Sequence, residues 1–214
     1  MFWNDKVMFI HAPKTAGMSL TRMMTRHLSG PILATGVEDA PQLPRVRNVS
    51  QVGRHETLAE AYITAARFGR ELDTFEKIFV VMRDPYTLEI SRYNYLRLGH
   101  EVDRGPAQKI ALESEFKEYL RVAPFFGFNP PRMDLYYHIL GAVPSNMCIL
   151  RFESLDADVE KHVFPYLTDQ PVLGKENVTG KSKFDKYYDA ESEEMCYNRH
   201  RWFFDNGYYE RQSA

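Results

Sequence analysis

The sequence predicts an α/β fold, a single domain of three layers in which helices flank a mostly parallel central sheet. Three continuous apolar segments have the length and composition of buried strands: "KVMFIH" at 6–11, "KIFVVM" at 77–82 and "NMCIL" at 146–150. Strands that are covered on both faces of a parallel sheet have such uninterrupted apolar runs. Each run is followed by a segment with helical spacing, and this alternation is typical of parallel α/β proteins.

The elements follow in order from these runs. After the first strand, apolar residues recur at helical spacing from about Ser19, which predicts the first helix. Residues 29–53 are rich in glycine and proline and are predicted mostly as loop. Further helices are expected at 56–68, 86–99, 116–122, 133–140, 156–166 and 190–204.

The composition limits the classes of function. Of 214 residues, 44% are hydrophobic and 26% charged, as in a folded globular protein. A net charge of −2 argues against a nucleic-acid partner that needs a broadly basic face, so an anion site must be a local cluster. Cys148 and Cys196 lack metal-binding spacing and are expected to be buried free thiols in a reducing compartment.

The amino-terminal segment has no secretory pattern, and no apolar stretch reaches the roughly 18 residues that a membrane span needs. If Met1 is the true start, we expect a cytoplasmic protein without a membrane span.

The turn "HAPKTAGMSL" at 11–20 has the features of an anion-binding loop. It connects a buried strand to the start of a helix, where backbone N–H groups lack partners and the helix dipole is positive. Gly17 allows close approach of the backbone to a ligand, and Ser19 offers a hydroxyl or a helix cap. An ATP-binding loop has lysine directly before the hydroxyl residue, but here that position holds Met18 and the lysine is Lys14. The alternative is a surface turn in which Lys14 binds nothing.

The segment "FIHAPKTAGMSL" resembles the 5′-phosphosulfate loop of sulfotransferases that use PAPS (3′-phosphoadenosine 5′-phosphosulfate), especially the branch that includes carbohydrate sulfotransferases. The resemblance implies a P-loop NTPase-like sulfotransferase fold. It also implies that the donor is bound by seven loop residues, which are Lys14, Thr15, Ala16, Gly17, Met18, Ser19 and Leu20.

A second segment, "RDPYTLEIS", resembles the 3′-phosphate motif of the same family, in which an arginine ends a strand and a serine follows on the next helix. These residues are Arg83 and Ser91. An arginine at the carboxyl end of a strand offers a planar fork of donors where ligands of open α/β sheets bind. The pair Leu88–Glu89 stands where the family often has a basic residue, which leaves one donor fewer. The alternatives are a salt bridge of Arg83 with Asp84 or Glu89, and a neutral helical role for Ser91.

The carboxyl-terminal region resembles the family segment that closes over the nucleotide. By that resemblance four residues are expected to cover the adenosine or the 3′-phosphate, namely Asn177, Thr179, Lys181 and Lys183. The alternative is a solvated polar connection. Residues 29–52 and 100–145 have no counterpart in the resemblance and are expected to build the acceptor site.

Sulfuryl transfer to a hydroxyl needs alignment, a general base and stabilisation of the leaving group. Lys14 is the expected electrophilic helper, and no metal is expected. The resemblance implies a histidine or glutamate base in the region of His55, so His55 is the candidate and Glu56 the fallback. A helix-capping or surface histidine is the alternative. His11 is expected to be structural, and the other five histidines have no assigned role.

These observations predict a sulfotransferase that moves a sulfuryl group from PAPS to an acceptor hydroxyl, with 3′,5′-ADP as product. The branch resemblance favours a sugar or glycan acceptor. Three alternatives stay open, namely a non-sugar small-molecule acceptor, a P-loop nucleotide kinase, and a non-catalytic nucleotide- or glycan-binding protein.

Overall fold

A computed structural model of the protein describes residues 1–38, 40–50, 53–98, 105–125, 132–172, 174 and 186–212. The strands are β1 (Phe2–Trp3), β2 (Val7–Ile10), β3 (Ile32–Thr35), β4 (Val46–Ser50), β5 (Lys77–Met82) and β6 (Met147–Arg151). The helices are α1 (Gly17–His27), α2 (Leu58–Ala66), α3 (Pro85–Arg97), α4 (Pro106–Glu113), α5 (Phe116–Val122), α6 (Leu155–Asp158), α7 (Ala190–Arg199) and α8 (Arg201–Asp205).

The six strands form one sheet in the order β4-β3-β1-β2-β5-β6. Strand β5 is parallel to both of its neighbours, β2 and β6, and β3 is parallel to β4, whereas β1 is antiparallel to both β2 and β3. Val7 lies opposite Lys77 in the first parallel pair, and Ile78 lies opposite Met147 in the second. The predicted α/β fold with a mostly parallel sheet flanked by helices is therefore confirmed.

The chain forms two compact units. The sheet unit comprises Met1–Met82 and Leu135–Glu176, and the helical unit comprises Arg83–Asp134 and Asn177–Ala214. In the sheet unit, Phe9 of β2 and Phe79 of β5 are fully buried together with Leu20 and Met24 of α1. Burial of whole strands explains the uninterrupted apolar runs, since residues on both faces of β2 and β5 leave water.

The secondary structure differs from the predictions in five places. The expected loop at 29–53 contains β3 and β4, and the two-residue strand β1 and helix α4 were not predicted. These short strands exist because they pair with neighbours in the sheet, which local patterns do not show. The expected helix at 133–140 is a single 3₁₀ turn, Met133–Tyr136, and the helix expected at 156–166 continues from α6 into a π-helical turn and a 3₁₀ turn.

The helical unit is centred on a buried carboxylate, Glu89 of α3, whose side chain has no exposed surface. Glu89 accepts hydrogen bonds from Arg199 Nε at 2.9 Å, His200 Nε2 at 2.8 Å and Tyr119 Oη at 3.0 Å, and a nitrogen of Arg92 lies 3.7 Å away. Burial alone would raise the pKa of Glu89, but Arg199, the hydrogen bond from His200 and Arg92 together hold it below its usual range. Glu89 is therefore an ionised structural residue.

The two buried arginines also bind the carboxyl-terminal end of α5. Arg199 donates to the carbonyl oxygens of Leu120 and Ala123, and Arg92 donates to that of Pro124. The guanidinium groups thus satisfy carbonyls that the end of a helix leaves without partners. Glu89 forms its ion pairs with Arg92 and Arg199. The alternative of a salt bridge between Arg83 and Glu89 is therefore wrong.

Both cysteines are free thiols, as predicted; Cys196 is buried and Cys148 is partly buried. None of the helices in the described ranges is long and apolar enough to cross a membrane.

Candidate functional site

The predicted anion-binding loop connects β2 to α1, and its backbone is unusual. Lys14 and Ala16 have φ angles of 62° and 63°, in the left-handed region that residues with a side chain seldom adopt. Each such residue costs on the order of 1 kcal/mol, and such strain is concentrated at binding and catalytic sites. The Thr15 hydroxyl donates to the carbonyl oxygen of Ala12 at 2.9 Å and braces the turn from inside.

Helix α1 begins at Gly17, two residues before the predicted start, and its N-cap residue Ala16 provides no capping side chain. The first turn of α1 also contains no acidic residue. Ser19 lies inside the helix, so the alternative of a capping role for Ser19 is wrong. An eleven-residue helix whose first N–H groups are not capped by a side chain is suited to bind an anion.

The seven loop residues differ in what they can offer to a ligand. Lys14, Ala16 and Met18 are partly exposed, whereas Thr15, Gly17, Ser19 and Leu20 are buried. The Leu20 side chain belongs to the hydrophobic core, so only its backbone can serve a ligand. The donor-binding roles of these residues stay a prediction.

His55 is attached to the same loop through its ring. Its Nδ1 lies 2.9 Å from the carbonyl oxygen of His11. Because a carbonyl oxygen only accepts, Nδ1 carries the proton, and in the neutral ring the lone pair is on Nε2. The carbonyl oxygen of His55 in turn accepts a hydrogen bond from Tyr136 Oη at 3.1 Å. The ring is therefore held in the Nδ1–H tautomer, in which Nε2 can accept a proton.

The buried ring of His11 lies between the loop and His55. It contacts the His55 ring edge to face with centroids 4.7 Å apart, and its Nδ1 lies 3.4 Å from the Thr21 hydroxyl. Its pKa is held well below the usual value by burial first, then by His55 and Arg54. His11 was predicted to be structural, and its contacts place it directly beside both candidate functional groups.

The pKa of His55 is lowered to about 4. Burial is the largest cause; the hydrogen bond to the His11 carbonyl opposes it, while the positive charges of Arg54 and Lys14 add to it. At neutral pH both imidazoles are therefore uncharged although cations surround them. A neutral histidine in a positive environment can accept a proton beside a bound anion.

Glu56, the fallback base, is buried and accepts hydrogen bonds from the hydroxyls of Thr35 at 2.6 Å and Thr64 at 2.7 Å. The next residue, Thr57, is the N-cap of α2 and forms a capping box with Glu60. The helix-capping alternative for His55 is therefore wrong, because Thr57 has that role.

A pocket in the sheet unit adjoins His11 and one face of α1. Its wall from α1 consists of Met18, Thr21, Arg22 and Thr25, and its other wall includes Thr35, Gly36, Val37, Glu38 and Arg54. Arg54 forms an ion pair with Glu38 and contacts the Met18 sulfur. Arg54 and Glu38 were not predicted, although residues 35–38 belong to the segment 29–52 that was expected to bind the acceptor.

The predicted 3′-phosphate residues lie in the helical unit. Asp84 is the N-cap of α3 and accepts a hydrogen bond from Thr87 N at 2.9 Å, while Arg83 Nε donates to the Thr87 hydroxyl at 3.2 Å. Asp84, one of the alternative partners of Arg83, therefore caps α3. Arg83, Thr87 and Ser91 follow one another at four-residue spacing, which places Thr87 and Ser91 on one face of α3. Thr87 was not predicted, although its spacing from Arg83 was a usable signal.

Four predicted nucleotide-covering residues lie outside the described residues, namely Asn177, Thr179, Lys181 and Lys183.

Replacing Gly17 with alanine should disrupt the loop. A Cβ atom at this position would lie 2.0 Å from Cδ2 and 2.2 Å from Nε2 of His11, whose ring is only 4% exposed. We expect a loss of about 1–3 kcal/mol in the free energy of unfolding, as for other overpacked sites, and displacement of the His55 ring. Urea unfolding measures the loss of stability, and the NMR signals of the His55 ring report its displacement.

Gly53→Ala is the matched control, because a Cβ atom there would meet nothing within 4 Å. Equal stability of the two variants would contradict the close packing of His11 on Gly17.

The chain was compared with known protein families, curated proteins and solved structures. No model of a known protein family matches the chain, and no curated protein has significant sequence similarity to it. Among solved structures, the chain is similar to mouse sulfotransferase SULT7A1, crystallised in complex with PAP. The TM-score is 0.57 at 14% sequence identity, over 95% of this chain and 84% of that chain. This similarity shows that the chain shares its fold with a sulfotransferase of known structure.

Proposed function

We propose that the protein is a PAPS-dependent sulfotransferase that transfers a sulfuryl group to an acceptor hydroxyl and releases 3′,5′-ADP. The observation that carries the proposal is the attachment of a neutral His55 to His11, the first residue of an anion-binding loop. A base for a hydroxyl and a site for an anionic donor are thereby built from adjacent groups. The shared fold with a sulfotransferase crystallised with PAP supports the same conclusion.

In the proposed reaction, the loop and the amino-terminal turn of α1 bind the 5′-phosphosulfate. Lys14 stabilises the negative charge that develops on the oxygen that leaves sulfur. His55 Nε2 accepts the proton of the acceptor hydroxyl while a new oxygen–sulfur bond forms and the sulfur–oxygen bond to the phosphate breaks. Glu56 holds the segment after His55 through its two threonine partners. No metal is assigned to the reaction.

The remaining donor contacts are assigned by motif. We assign the 3′-phosphate to Arg83 and Ser91, with Thr87 orienting the guanidinium of Arg83. Asn177, Thr179, Lys181 and Lys183 are assigned to cover the nucleotide. Residues 1–214 are assigned to one sulfotransferase domain, with acceptor-binding segments at 29–52 and 100–145.

The proposed acceptor is a sugar or glycan hydroxyl, because the loop most resembles the branch of carbohydrate sulfotransferases. The pocket beside His11 is lined by threonines, two arginines and a glutamate together with Met1, Phe2, Met18 and Val37, so it offers hydrogen-bonding groups beside apolar surface. A nucleotide kinase is disfavoured because the position before Ser19 holds Met18, whose sulfur contacts Arg54.

Binding of 3′,5′-ADP tests the donor site. At a concentration 100 times its dissociation constant, this product should stabilise the protein by about 2.7 kcal/mol, which raises the melting temperature by roughly 5–10 °C. ATP with Mg²⁺ should give little stabilisation. Lys14→Ala and Arg83→Ala should each weaken binding by about 10- to 100-fold, since each removes a charge-assisted phosphate contact.

Lys6→Ala is the control. Lys6 is exposed, and its one ion pair among the described residues is a surface pair with Glu76 at 4.0 Å, so its removal should not affect binding. Unchanged binding in both site variants would remove the proposed donor site. Transfer of label from ³⁵S-PAPS to a panel of sugars, lipids and phenols then identifies the acceptor.

A further inference from the structure

His55 lies in a segment without regular secondary structure, between β4 and the N-cap of α2. No ladder of backbone hydrogen bonds fixes it, so its position depends on individual contacts. Two hydrogen bonds between described residues act on His55 itself. The ring donates from Nδ1 to the His11 carbonyl, and the His55 carbonyl accepts from the Tyr136 hydroxyl.

Tyr136 comes from a distant part of the sheet unit, 81 residues along the chain from His55. Its side chain is only 1% exposed, and burial is the main reason why the pKa of its hydroxyl is raised above the usual value. The hydroxyl therefore stays protonated and acts as a donor. A rigid aromatic ring in the core thus presents one hydrogen to one carbonyl.

We propose that Tyr136 is a positioning residue that sets the orientation of the His55 imidazole through the His55 backbone. This inference rests on the proposed role of His55 as general base. The Tyr136 bond fixes the backbone of His55, and the His11 carbonyl fixes the ring. Because both the backbone and the ring of His55 are held, the lone pair of its Nε2 points in one fixed direction.

The two contacts depend on each other. When the His55 backbone moves, its Nδ1 leaves the His11 carbonyl, and the ring is no longer restricted to the Nδ1–H tautomer. A displacement of about 1 Å at a general base can reduce a rate by about 100-fold. Tyr136→Phe should therefore impair the proton transfer and leave the anion-binding loop intact.

Tyr137→Phe is a closely matched control. Although Tyr137 lies in the segment assigned to the acceptor, its side chain is fully buried and its hydroxyl donates to the backbone carbonyl of Val81 in β5 at 3.0 Å, so it is not presented to a substrate. Each substitution removes a hydroxyl that donates to a backbone carbonyl and keeps the aromatic ring. The two variants should lose similar stability, about 1–3 kcal/mol, so a difference between them reports on His55.

We expect Tyr136→Phe to lower kcat at least about 10-fold, with unchanged affinity for 3′,5′-ADP, whereas Tyr137→Phe should stay within about 2-fold of the wild type. Reintroduction of the hydroxyl as 3-fluorotyrosine at position 136 should restore kcat. Equal losses of kcat in the two phenylalanine variants, at equal stability, would overturn the proposal.

A second measurement does not depend on activity. Long-range ¹H–¹⁵N correlation spectra report the tautomer of His55. The wild type and Tyr137→Phe should show Nδ1–H, and Tyr136→Phe a mixture of both tautomers. An unchanged His55 signal in folded Tyr136→Phe would contradict the proposal even if the protein transferred no sulfuryl group. If Tyr136→Phe does not fold, the 3-fluorotyrosine variant takes its place, and its altered hydroxyl acidity should shift the His55 signals.

Discussion

His55→Ala is expected to lower the rate of sulfuryl transfer by about 10²- to 10⁴-fold, the usual contribution of a positioned general base. Affinity for 3′,5′-ADP should change little, because the loop backbone and Lys14 remain. Transfer of ³⁵S label at saturating PAPS measures the rate, and calorimetry measures the affinity. The loss should appear in kcat, since the imidazole acts on the proton that moves in the transition state.

His162→Ala is the control for replacing a histidine. His162 lies in the π-helical turn after α6 and has no assigned role. If His55→Ala retains wild-type activity while Glu56→Gln loses it, the base is Glu56. If neither variant loses activity, the proposed mechanism is wrong.

The acidity of His55 gives a second test of the same residue. Its pKa in the folded protein is about 4, below the usual 6.5, so the ring should stay neutral down to about pH 5 in an NMR titration of the free protein. The unfolded chain takes up that proton near pH 6.5, so the folded state loses stability as the pH falls from about 6.5 towards 4. This loss should be smaller in His55→Ala. A titration midpoint near 6.5 would contradict the burial of the ring.

Glu89→Gln is expected to reduce the free energy of unfolding by about 3–5 kcal/mol. The side chain is fully buried, and the substitution leaves the guanidinium groups of Arg92 and Arg199 without their carboxylate. Both guanidinium groups also hold the end of α5, so the change should loosen more than one helix. Urea unfolding followed by circular dichroism measures the loss.

Glu118→Gln provides the matched comparison, because Glu118 is 46% exposed and pairs with Arg121 on the surface of α5. Its loss should stay below about 1 kcal/mol. The lowered pKa of Glu89 means that its stabilisation is fully present above about pH 4.5 and disappears as the pH falls below that value. As the pH falls, the free energy of unfolding should therefore decrease less steeply for Glu89→Gln than for the wild type. Similar losses in both variants would show that Glu89 has no central role.

The sequence predicted those parts of the fold and site in which neighbouring residues determine the structure. The buried strands β2, β5 and β6 and the helices α1 and α3 follow from local patterns of apolar residues. The loop 11–20 is likewise a continuous segment between a strand and a helix. Its residues could be identified before its geometry was known.

Features that depend on contacts between distant segments could not be predicted. The short strands β3 and β4 are stable only because they pair within the sheet. Tyr136 touches His55 from 81 residues away, and no motif connects the two. In the sequence, Glu89 departs from the phosphate motif. Its partners Arg199 and His200 show that it belongs to the interior of the helical unit.

The order of strands in the sheet has a consequence for how the chain folds. Val7 pairs with Lys77 and Ile78 with Met147, so each of the two central parallel ladders closes a chain segment of about 70 residues. Closing such a segment costs an entropy equivalent to about 4 kcal/mol before any contact is gained. Folding should therefore be slow, and during synthesis β2 cannot pair with β5 until residue 82 has emerged from the ribosome, nor β5 with β6 until residue 151 has emerged. In that interval the apolar strands β2 and β5 are exposed to aggregation, which gives chaperones a specific segment to protect.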